Sequence, residues 1–388
     1  DLSAGVNHPV YVEIHVPSSA AQGDYTGSIT FVAGEKTIAT AQFGLHVYGF
    51  SLPVAPSLRT AFGLQDDQMA IQEKISTTSP AYQTYRKAYY EIMLDHGLSS
   101  YSLPVDIKSA EAQKYLADPR MTSYVIPYSE DDATMKQTLD YLRKGGWLGK
   151  GYFYVVDEPL TREQYTKLTA IADRLHAMDP SLKIVSPYYG PPDWNKELTP
   201  FDLLTGKMNI WCYNTSYYHP DKLAARQKAG DEVWDYVCCG PGKPYTNFFI
   251  TNDAIDHRIL FWQNYKYDTI GLLYWSANYW NNSDTGTTDP WVDMATIKWI
   301  NKDIYGDGSL LYPGRKVGHY GPLPSLRLKL IRQGMQDYEY LKLAEAKAGK
   351  ARVKKIVDSQ SEDWKVYQKD PSKLDAAKRQ LAALIEDP

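Results

Sequence analysis

Cysteines, long apolar runs and basic stripes are scarce or absent in this chain of 388 residues. Its three cysteines, Cys212, Cys238 and Cys239, form no CxxC pair and no metal-ligand pattern, so they do not identify a redox compartment. No run of about 18 apolar residues occurs, so membrane insertion is not expected. The net charge is -4 and the lysines and arginines are scattered, which argues against a nucleic-acid partner and favours a substrate of little charge.

Phenylalanine is also scarce beside the other aromatic residues, since 9 Phe accompany 32 Tyr and 10 Trp. Tyr and Trp combine a flat apolar face with a hydrogen-bonding edge, which suits a surface that contacts sugar rings. A tyrosine-rich core explains the same composition equally well. Composition alone therefore leaves both interpretations open.

The first 52 residues carry β patterns. Residues 10–16, 24–31 and 37–47 are predicted strands because apolar and polar residues alternate there. They look like part of a β-sandwich, but three or four strands are too few to cover its two faces. We therefore expect an incomplete sandwich at residues 1–52, or further strands upstream of Asp1.

Strands and helices alternate through residues 53–349, after a proline-marked linker. One helix signal is the capping box of Thr161 and Gln164. Alternation through eight strands is typical of a (β/α)8 barrel, so we predict an α/β fold. Residues 350–388 are predicted to form a charged helical tail whose last helix is capped by Ser372. The eight predicted strands are residues 58–64, 99–103, 123–128, 151–156, 182–186, 208–213, 232–238 and 269–275.

The fourth predicted strand ends in Asp157 and Glu158, and Pro159 follows. Barrel enzymes keep their chemistry at this end of the strands. Burying even one unpaired charge is costly, so two adjacent acids indicate function more than structure. A crowded site raises the pKa of at least one carboxyl, which leaves a protonated acid beside an ionised partner. The pair predicts an active site suited to glycoside cleavage; the alternative is a helix cap beside a surface acid.

Several separated motifs, occurring in order, resemble glycoside hydrolase family 123. The resemblance covers nearly the whole chain and implies a β-N-acetylgalactosaminidase, in which a β-sandwich precedes a (β/α)8 barrel with an adjacent Asp-Glu pair on its fourth strand. Asp157 and Glu158 match that pair. The chain departs from the family at its front, where relatives carry a longer sandwich region. The matching segments are residues 21–27, 258–262, 273–280, 306–314, 324–327 and 332–340.

A substrate-assisted mechanism also makes physical sense for adjacent acids. In ordinary retaining glycosidases two carboxyls lie about 5–5.5 Å apart across the scissile bond, which neighbouring strand residues fit poorly. When the sugar's own 2-acetamido oxygen attacks, the enzyme needs only an acid at the glycosidic oxygen and a carboxylate on the acetamido N–H. We expect Glu158 to be the acid and later the base, and Asp157 to orient and stabilise the oxazolinium-like intermediate.

Further candidates end other strands of the predicted barrel, where their side chains would wall the sugar or bind its acetamido carbonyl. A core position is an equal alternative for each aromatic residue. Arg327 is a candidate for a sugar hydroxyl, although a structural pairing with Asp337 or Glu339 is favoured. In residues 281–290, Asp284 and Asp289 are more simply solvated than cation ligands. The substrate-binding candidates are Tyr188, Trp211, Tyr213, Asn214, Trp275, Asn278, Trp280 and Arg327.

The sequence therefore predicts an exo-acting retaining hydrolase of terminal β-linked N-acetylgalactosamine, or of a close 2-acetamido sugar. Its partner is a glycan or glycolipid, and no cofactor or metal is expected. Two alternatives remain: a glycosidase of the same fold with a direct carboxylate nucleophile, and a glycan-binding protein that has lost turnover. We expect a processed or trimmed chain, since neither a signal peptide nor an initiator Met begins it at Asp1, and export because glycan substrates lie outside cells.

Overall fold

The computed structural model describes residues 5–7, 9–282, 286–297 and 304–387. Its first regular element is an antiparallel hairpin of β1 (Gly23–Ala33) and β2 (Lys36–Val47). Most side chains of the hairpin are exposed, and within the described ranges its two strands pair only with each other. The hairpin supplies two of the strands expected for a sandwich, and the sandwich itself stays a prediction.

Residues 10–16 form no strand, which corrects the prediction made for them. A strand needs a neighbour to take its backbone hydrogen bonds, and no described strand pairs with this segment. Its apolar side chains, such as Val10 and Val12, are exposed. Glu13 ties the segment to the body of the protein through ion pairs with Lys329 and Arg332.

A parallel sheet of seven strands forms the centre of the molecule, in the order β3-β9-β8-β7-β6-β5-β4. Adjacent strands pair in register, as in the contact of Trp211 with Val233 between β7 and β8. The predicted α/β fold is thus confirmed, with a nearly closed barrel sheet. Its strands are β3 (Arg59–Phe62), β4 (Tyr124–Val125), β5 (Gly151–Tyr154), β6 (Ile184–Val185), β7 (Ile210–Asn214), β8 (Glu232–Val237) and β9 (Gly271–Tyr274).

Residues 99–103, predicted as a strand, form only an isolated bridge, at Ser100. They lie in the gap between β3 and β4. The backbone N–H of Phe62 donates to the Ser99 carbonyl and that of Tyr101 donates to the Phe62 carbonyl, both at 2.9 Å. On the other side, the N–H of Val125 donates to the Tyr101 carbonyl at 2.7 Å. The segment therefore bridges the two edge strands.

Side-chain hydroxyls explain why the backbone hydrogen-bond ladder between β3, residues 99–101 and β4 is short. The backbone N–H of Ser99 donates to Oγ1 of Thr60 at 2.8 Å, and the N–H of Thr122 donates to Oγ of Ser99 at 2.8 Å. The hydroxyl of Ser123 donates to the Thr60 carbonyl at 2.6 Å. Hydroxyl groups thus satisfy backbone groups that a longer ladder would pair. Pro104 has no N–H with which to extend it.

Large aromatic side chains fill the inside of the barrel. Tyr152 and Trp234 are fully buried there, with their ring centroids 5.4 Å apart in an edge-on contact. Trp234 fits only because Gly271 lies on the neighbouring strand: a Cβ at that position would be 2.3 Å from the indole ring. The inside of the barrel is therefore a packed core up to its open end.

Helices cover the outside of the sheet and enclose the larger apolar core. The capping box of Thr161 and Gln164 is present as predicted. Asp370, not Ser372, caps the last helix, because its Oδ1 accepts the backbone N–H of Ser372 at 2.9 Å. None of the described helices combines the length and apolar character needed to cross a membrane. The helices are α1 (Asp66–Gln72), α2 (Pro80–Asp95), α3 (Ala112–Leu116), α4 (Asp132–Lys144), α5 (Arg162–Met178), α6 (Pro200–Leu204), α7 (Pro220–Lys228), α8 (Asp256–Lys266), α9 (Leu326–Ala348), α10 (Lys350–Gln360) and α11 (Pro371–Glu386).

In the part of the chain that the structure describes, three two-stranded antiparallel sheets follow β9. Asp289, one of the two acids considered for a cation, pairs with Lys316 instead. The other, Asp284, lies outside the described residues. These sheets join β10 (Asn281–Asn282) to β11 (Gly286–Thr287), β12 (Ala295–Ile297) to β13 (Ile304–Tyr305), and β14 (Leu311–Pro313) to β15 (Pro322–Pro324).

Asp337 of α9 joins the C-terminal helices to α8. Its carboxylate is fully buried and accepts hydrogen bonds from Arg258 at 2.5 Å and from the indole N–H of Trp262 at 3.0 Å. Lys378 of α11 forms an ion pair with it at 2.9 Å. Burial opposes ionisation, but Lys378 and Arg258 more than offset it, so the pKa of Asp337 is lowered. Asp337 is therefore a buried anion held by two cations.

We expect Asp337→Asn to lower the free energy of unfolding by about 3–5 kcal/mol, because it removes the fully buried anion that pairs with Arg258 and Lys378. Asp375→Asn is the matched control: Asp375 also pairs with Arg258, at 2.6 Å, but half of its side chain is exposed. That change should cost about 1 kcal/mol or less. Urea titrations of both variants measure the difference, and equal losses would contradict the assignment.

Candidate active site

A cavity of about 400 Å³ opens where β5 ends. This is the carboxyl end of the parallel strands, where barrel folds bind ligands. Asp157 is part of its wall, and Trp275, at the end of β9, stands on another side. The cavity is lined by Tyr101, Tyr154, Val155, Val156, Asp157 and Trp275.

Asp157 is exposed to solvent in the cavity and is held by the tyrosine that ends β5, three residues earlier. The Tyr154 hydroxyl donates to Oδ1 of Asp157 at 2.6 Å. The Tyr154 ring is fixed in turn by an edge-on contact with Tyr101, with centroids 5.8 Å apart. Burial, Tyr101 and Asp157 raise the pKa of Tyr154 well above its usual value, so this hydroxyl remains a donor at neutral pH. Asp157 is thus an oriented carboxylate with one oxygen free of this bond.

Glu158 is half-buried and its carboxyl turns to the strand on the other side of the opening. The Tyr236 hydroxyl of β8 donates to Oε1 of Glu158. Burial and the nearby Asp157 raise the pKa of Glu158, although the hydrogen bond from Tyr236 opposes them. Burial and Glu158 also raise the pKa of Tyr236, which keeps its hydroxyl protonated.

The backbone of Glu158 has a φ of +41°, in the left-handed region that side-chain-bearing residues rarely adopt. Strain of this kind costs about 1–3 kcal/mol and is concentrated at functional sites. The two neighbouring carboxyls therefore differ in every relevant respect: Asp157 is exposed and lines the cavity, whereas Glu158 is shielded and has a raised pKa. A carboxyl with a raised pKa is suited to carry the proton for acid–base chemistry, and here it lies next to a second, solvent-exposed carboxyl.

Trp275 is fixed from behind by a buried carboxylate. Its indole N–H donates to Oδ1 of Asp307 at 3.1 Å, and the Tyr274 hydroxyl donates to the same oxygen at 2.9 Å. Burial raises the pKa of Asp307 to about 6, although both hydrogen bonds oppose it. A Cβ at Gly308 would lie 2.3 Å from the Trp275 ring, so this glycine is what lets the loop approach. The structure places Trp275 at the cavity, where the sequence predicts it.

The sequence model of the glycoside hydrolase 123 catalytic domain matches residues 85–344. The chain belongs to glycoside hydrolase family 123. This confirms the resemblance found in the sequence, and membership of the family implies hydrolase activity. A search of curated proteins gave no match to this family 123 hydrolase.

Among solved structures, a family 123 glycoside hydrolase from Clostridium perfringens, described in work on glycolipid glycan hydrolysis, aligns with a TM-score of 0.67 and 16% identity over 96% of this chain and 77% of that one. At this identity the likeness shows the fold. Two weaker alignments are to a family 39 glycoside hydrolase from Bacteroides cellulosilyticus (TM-score 0.38, 12% identity, 81% and 71% coverage) and a putative glycerophosphoryl diester phosphodiesterase from Silicibacter pomeroyi (0.26, 14%, 42% and 52%).

Three aromatic residues that were predicted to contact the sugar have their side chains on the outer, helix-covered face of the sheet. Trp211 and Tyr213 of β7 point to the helices, as does Tyr188, and all three are buried in the outer core. Trp211 stacks on Phe201 with centroids 4.7 Å apart, and its N–H donates to Asp231. Side chains alternate along a strand, so inward-facing Cys212 excludes both of its neighbours from the cavity.

Four other candidates hold loops together and do not line the cavity. The Asn278 side chain accepts from and donates to the backbone of Gln65, at 2.8 and 3.0 Å. Asn214 donates to the Gly240 carbonyl and accepts from Ser216. The buried indole of Trp280 donates to the Leu311 carbonyl at 3.0 Å. Their hydrogen-bonding groups are used within the protein, which corrects the prediction that they bind substrate.

Arg327 is the fourth. Its guanidinium donates to the carbonyls of Phe248 and Gly306, each at 2.7 Å, and to that of Ser309. Neither Asp337 nor Glu339 is its hydrogen-bonding partner. Because its donors are used by these buried loop carbonyls, Arg327 fixes the loops and does not contact a sugar hydroxyl.

The residues missed by sequence reasoning are the tyrosines that hold the acids. Tyr154 and Tyr236 share a face with Tyr152 and Trp234, two positions earlier on their strands. That period-2 pattern was the available signal. In the described ranges, no cluster of three His, Cys, Asp or Glu side chains is placed to hold a metal ion.

We expect Tyr236→Phe to move the high-pH limb of the kcat/KM profile to higher pH. The tyrosine stabilises the Glu158 carboxylate, so its loss raises the pKa of Glu158 further and keeps the acid protonated at higher pH. Tyr154→Phe is the matched control, since it removes a hydroxyl from Asp157 and leaves the Tyr236 bond to Glu158 intact. An unchanged limb in Tyr236→Phe, or an equal shift in both variants, would refute this role.

Proposed function

We propose that this family 123 hydrolase is a retaining exo-glycosidase that releases terminal β-linked N-acetylgalactosamine, or a close 2-acetamido sugar, through an oxazolinium-type intermediate. The observation that carries the proposal is a pair of adjacent carboxyls with different partners, of which one, Asp157, lines the cavity. Asp157 lines the cavity beside Tyr154, and Glu158 is shielded against Tyr236. A glycolipid glycan, the substrate class named for the Clostridium perfringens relative, is the natural substrate class we propose here.

Adjacent residues at the end of one strand approach a substrate from the same side. A direct nucleophile and an acid must instead flank the scissile bond, about 5–5.5 Å apart. Substrate assistance removes this conflict, because the acetamido oxygen of the sugar attacks the anomeric carbon. Glu158 donates its proton to the glycosidic oxygen as that bond breaks. Water, deprotonated by Glu158, then opens the oxazolinium ring and restores the β configuration.

Asp157 has the complementary role. An ionised carboxylate beside the acetamido N–H orients the attacking oxygen and stabilises the positive charge that develops on the ring. The hydrogen bond from Tyr154 fixes its carboxylate in the cavity wall. Trp275 offers a flat face on which a pyranose can lie. A volume of about 400 Å³ suits a single sugar residue, which favours exo action.

Three further features complete the proposal. We take residues 99–101 as the remaining strand of a (β/α)8 barrel, because their backbone bonds join β3 to β4. We propose residues 1–52, 53–349 and 350–388 as the sandwich region, the catalytic barrel and the helical tail. We also propose export, since glycans of this kind lie outside cells.

A panel of aryl glycosides tests the function. We expect hydrolysis only of 2-acetamido sugars, and inhibition by a thiazoline mimic of the intermediate. Asp157→Asn should lower kcat by about 10²–10³-fold, through lost stabilisation of the intermediate, whatever the leaving group. Glu158→Gln should lower it by about 10²–10⁴-fold with a poor leaving group and much less with dinitrophenol, which departs without protonation. Glu163→Gln, an exposed acid on α5, is the control and should retain activity.

The same panel distinguishes the alternatives. Robust turnover of glucosides or galactosides without an acetamido group would instead indicate a direct carboxylate nucleophile. Measurable affinity for the sugars with no release of aglycone would indicate a glycan-binding protein.

A further inference from the structure

Two cysteine thiols meet at the end of β8. Cys238 and Cys239 are neighbours in the chain, and their sulfur atoms lie 3.8 Å apart. Both residues are partly exposed, whereas Cys212 is fully buried inside the barrel. The pair is therefore accessible to small reagents, unlike the third thiol.

The two thiols lie between the parts of the candidate active site. Cys238 packs against the apolar cluster inside the barrel, which includes Tyr236, the donor to Glu158. Cys239 packs in a small cluster with Phe249 and Ile304, which Trp275 of the cavity wall also joins. A conformational change of the two cysteines would therefore act on the packing of both Tyr236 and Trp275.

The backbone around the pair is anchored. The side chain of Asn247 donates to the carbonyls of Cys238 and Pro241, at 3.0 and 2.9 Å. The backbone N–H of Cys238 donates to the Gly240 carbonyl at 2.9 Å. Because this turn is held from outside, a distortion between the two cysteines is transmitted to β8 and hence to Tyr236.

A disulfide between them requires such a distortion. Its sulfur atoms must approach to about 2.05 Å, and residues joined by a trans peptide have Cα atoms about 3.8 Å apart, closer than the usual 4.4–6.8 Å of a disulfide. A strained and accessible disulfide is reduced easily, which is the property of regulatory pairs.

We propose that Cys238 and Cys239 form a reversible redox site at the cavity mouth, in which a peroxide oxidises them to a vicinal disulfide that displaces Tyr236 from Glu158 and lowers turnover. The Cys239 sulfur attacks the peroxide, becomes a sulfenic acid and releases one water. The Cys238 sulfur then displaces the second water and the S–S bond forms. The two thiols lose two protons and two electrons in total, and hydrogen peroxide becomes two waters.

The order of the two steps follows from the environment of Cys238. Its hydrogen bond with Cys239, and then its burial, raise the pKa of Cys238, which makes it the poorer first nucleophile. The effect on turnover rests on the proposed glycosidase function. The formation of the bond does not.

The experiment oxidises the purified 388-residue chain with hydrogen peroxide and follows it by mass spectrometry of proteolytic peptides. We expect one peptide containing Cys238 and Cys239 to lose the mass of two hydrogens, to resist alkylation, and to recover on treatment with dithiothreitol. Cys238→Ser and Cys239→Ser cannot form the bond. Cys212 is present in every variant and serves as the internal control.

Two measurements test whether the disulfide lowers turnover and displaces Tyr236. With an aryl 2-acetamido glycoside, oxidation should lower kcat/KM of the wild type by about 10-fold or more, since small misplacements of catalytic groups are costly. Each serine variant should keep its own untreated value. In protein carrying 13C-labelled tyrosine, oxidation should shift the ring signals of Tyr236, assigned through Tyr236→Phe, and leave those of Tyr154 in place.

Sulfenic or sulfinic acids without a cross-link, or disulfide-linked dimers, would overturn the proposal. So would a vicinal disulfide that moves neither turnover nor the Tyr236 signals. If the protein hydrolyses no 2-acetamido glycoside at all, the proposed function fails. The mass and the tyrosine signals still decide the redox site in that case.

Discussion

Alternation along the barrel strands is the constraint on which this structure depends. Successive side chains point to opposite faces of the sheet, and the inward set includes Tyr152, Tyr154, Trp234 and Tyr236. Tyr152 and Trp234 fill the barrel as packed core. Tyr154 and Tyr236, two positions later on their strands, place hydroxyl groups at the open end, where a buried hydroxyl without a partner would be costly. The adjacent carboxyls accept hydrogen bonds from those hydroxyls, so the packing inside the barrel positions the two acids of the candidate site.

The same arrangement makes two similar acids chemically different. Tyr154 ends β5, three residues before Asp157, and holds that side chain in the cavity wall. Tyr236 comes from β8 and holds Glu158 in a shielded place, where burial favours the protonated carboxyl. Both tyrosines resist ionisation, so both remain donors at neutral pH. An acid with a raised pKa beside an oriented anion is the pairing that substrate-assisted cleavage of a 2-acetamido sugar needs, and it is the physical basis of the proposed function.

The position of Trp275 in the cavity wall depends on two buried charged side chains, Arg327 and Asp307. Arg327 gathers the carbonyls of three loop residues, and Asp307 fixes the indole of Trp275 above them. Burial of these two charges is offset by the hydrogen bonds that each side chain makes. The cysteine pair packs against the two clusters that include Tyr236 and Trp275, which is why we propose that a disulfide formed there displaces Tyr236 from Glu158.

The α/β fold, the family, seven of the barrel strands and the place of Asp157 and Glu158 after a strand could be predicted from the amino-acid sequence, because strand patterning, capping signals, family motifs and adjacent acids are local properties. The face of the sheet on which each aromatic side chain lies could not be predicted in this way. Trp211 and Tyr213 end a strand as predicted, yet they contact helices, because the register of one strand against its neighbours places Cys212 inside the barrel. Tertiary contacts also shortened the ladder at residues 99–101, where hydroxyl groups take some of the backbone hydrogen bonds, and bound Arg327 to loop carbonyls. Those choices depend on partners distant in the chain, which no local pattern contains.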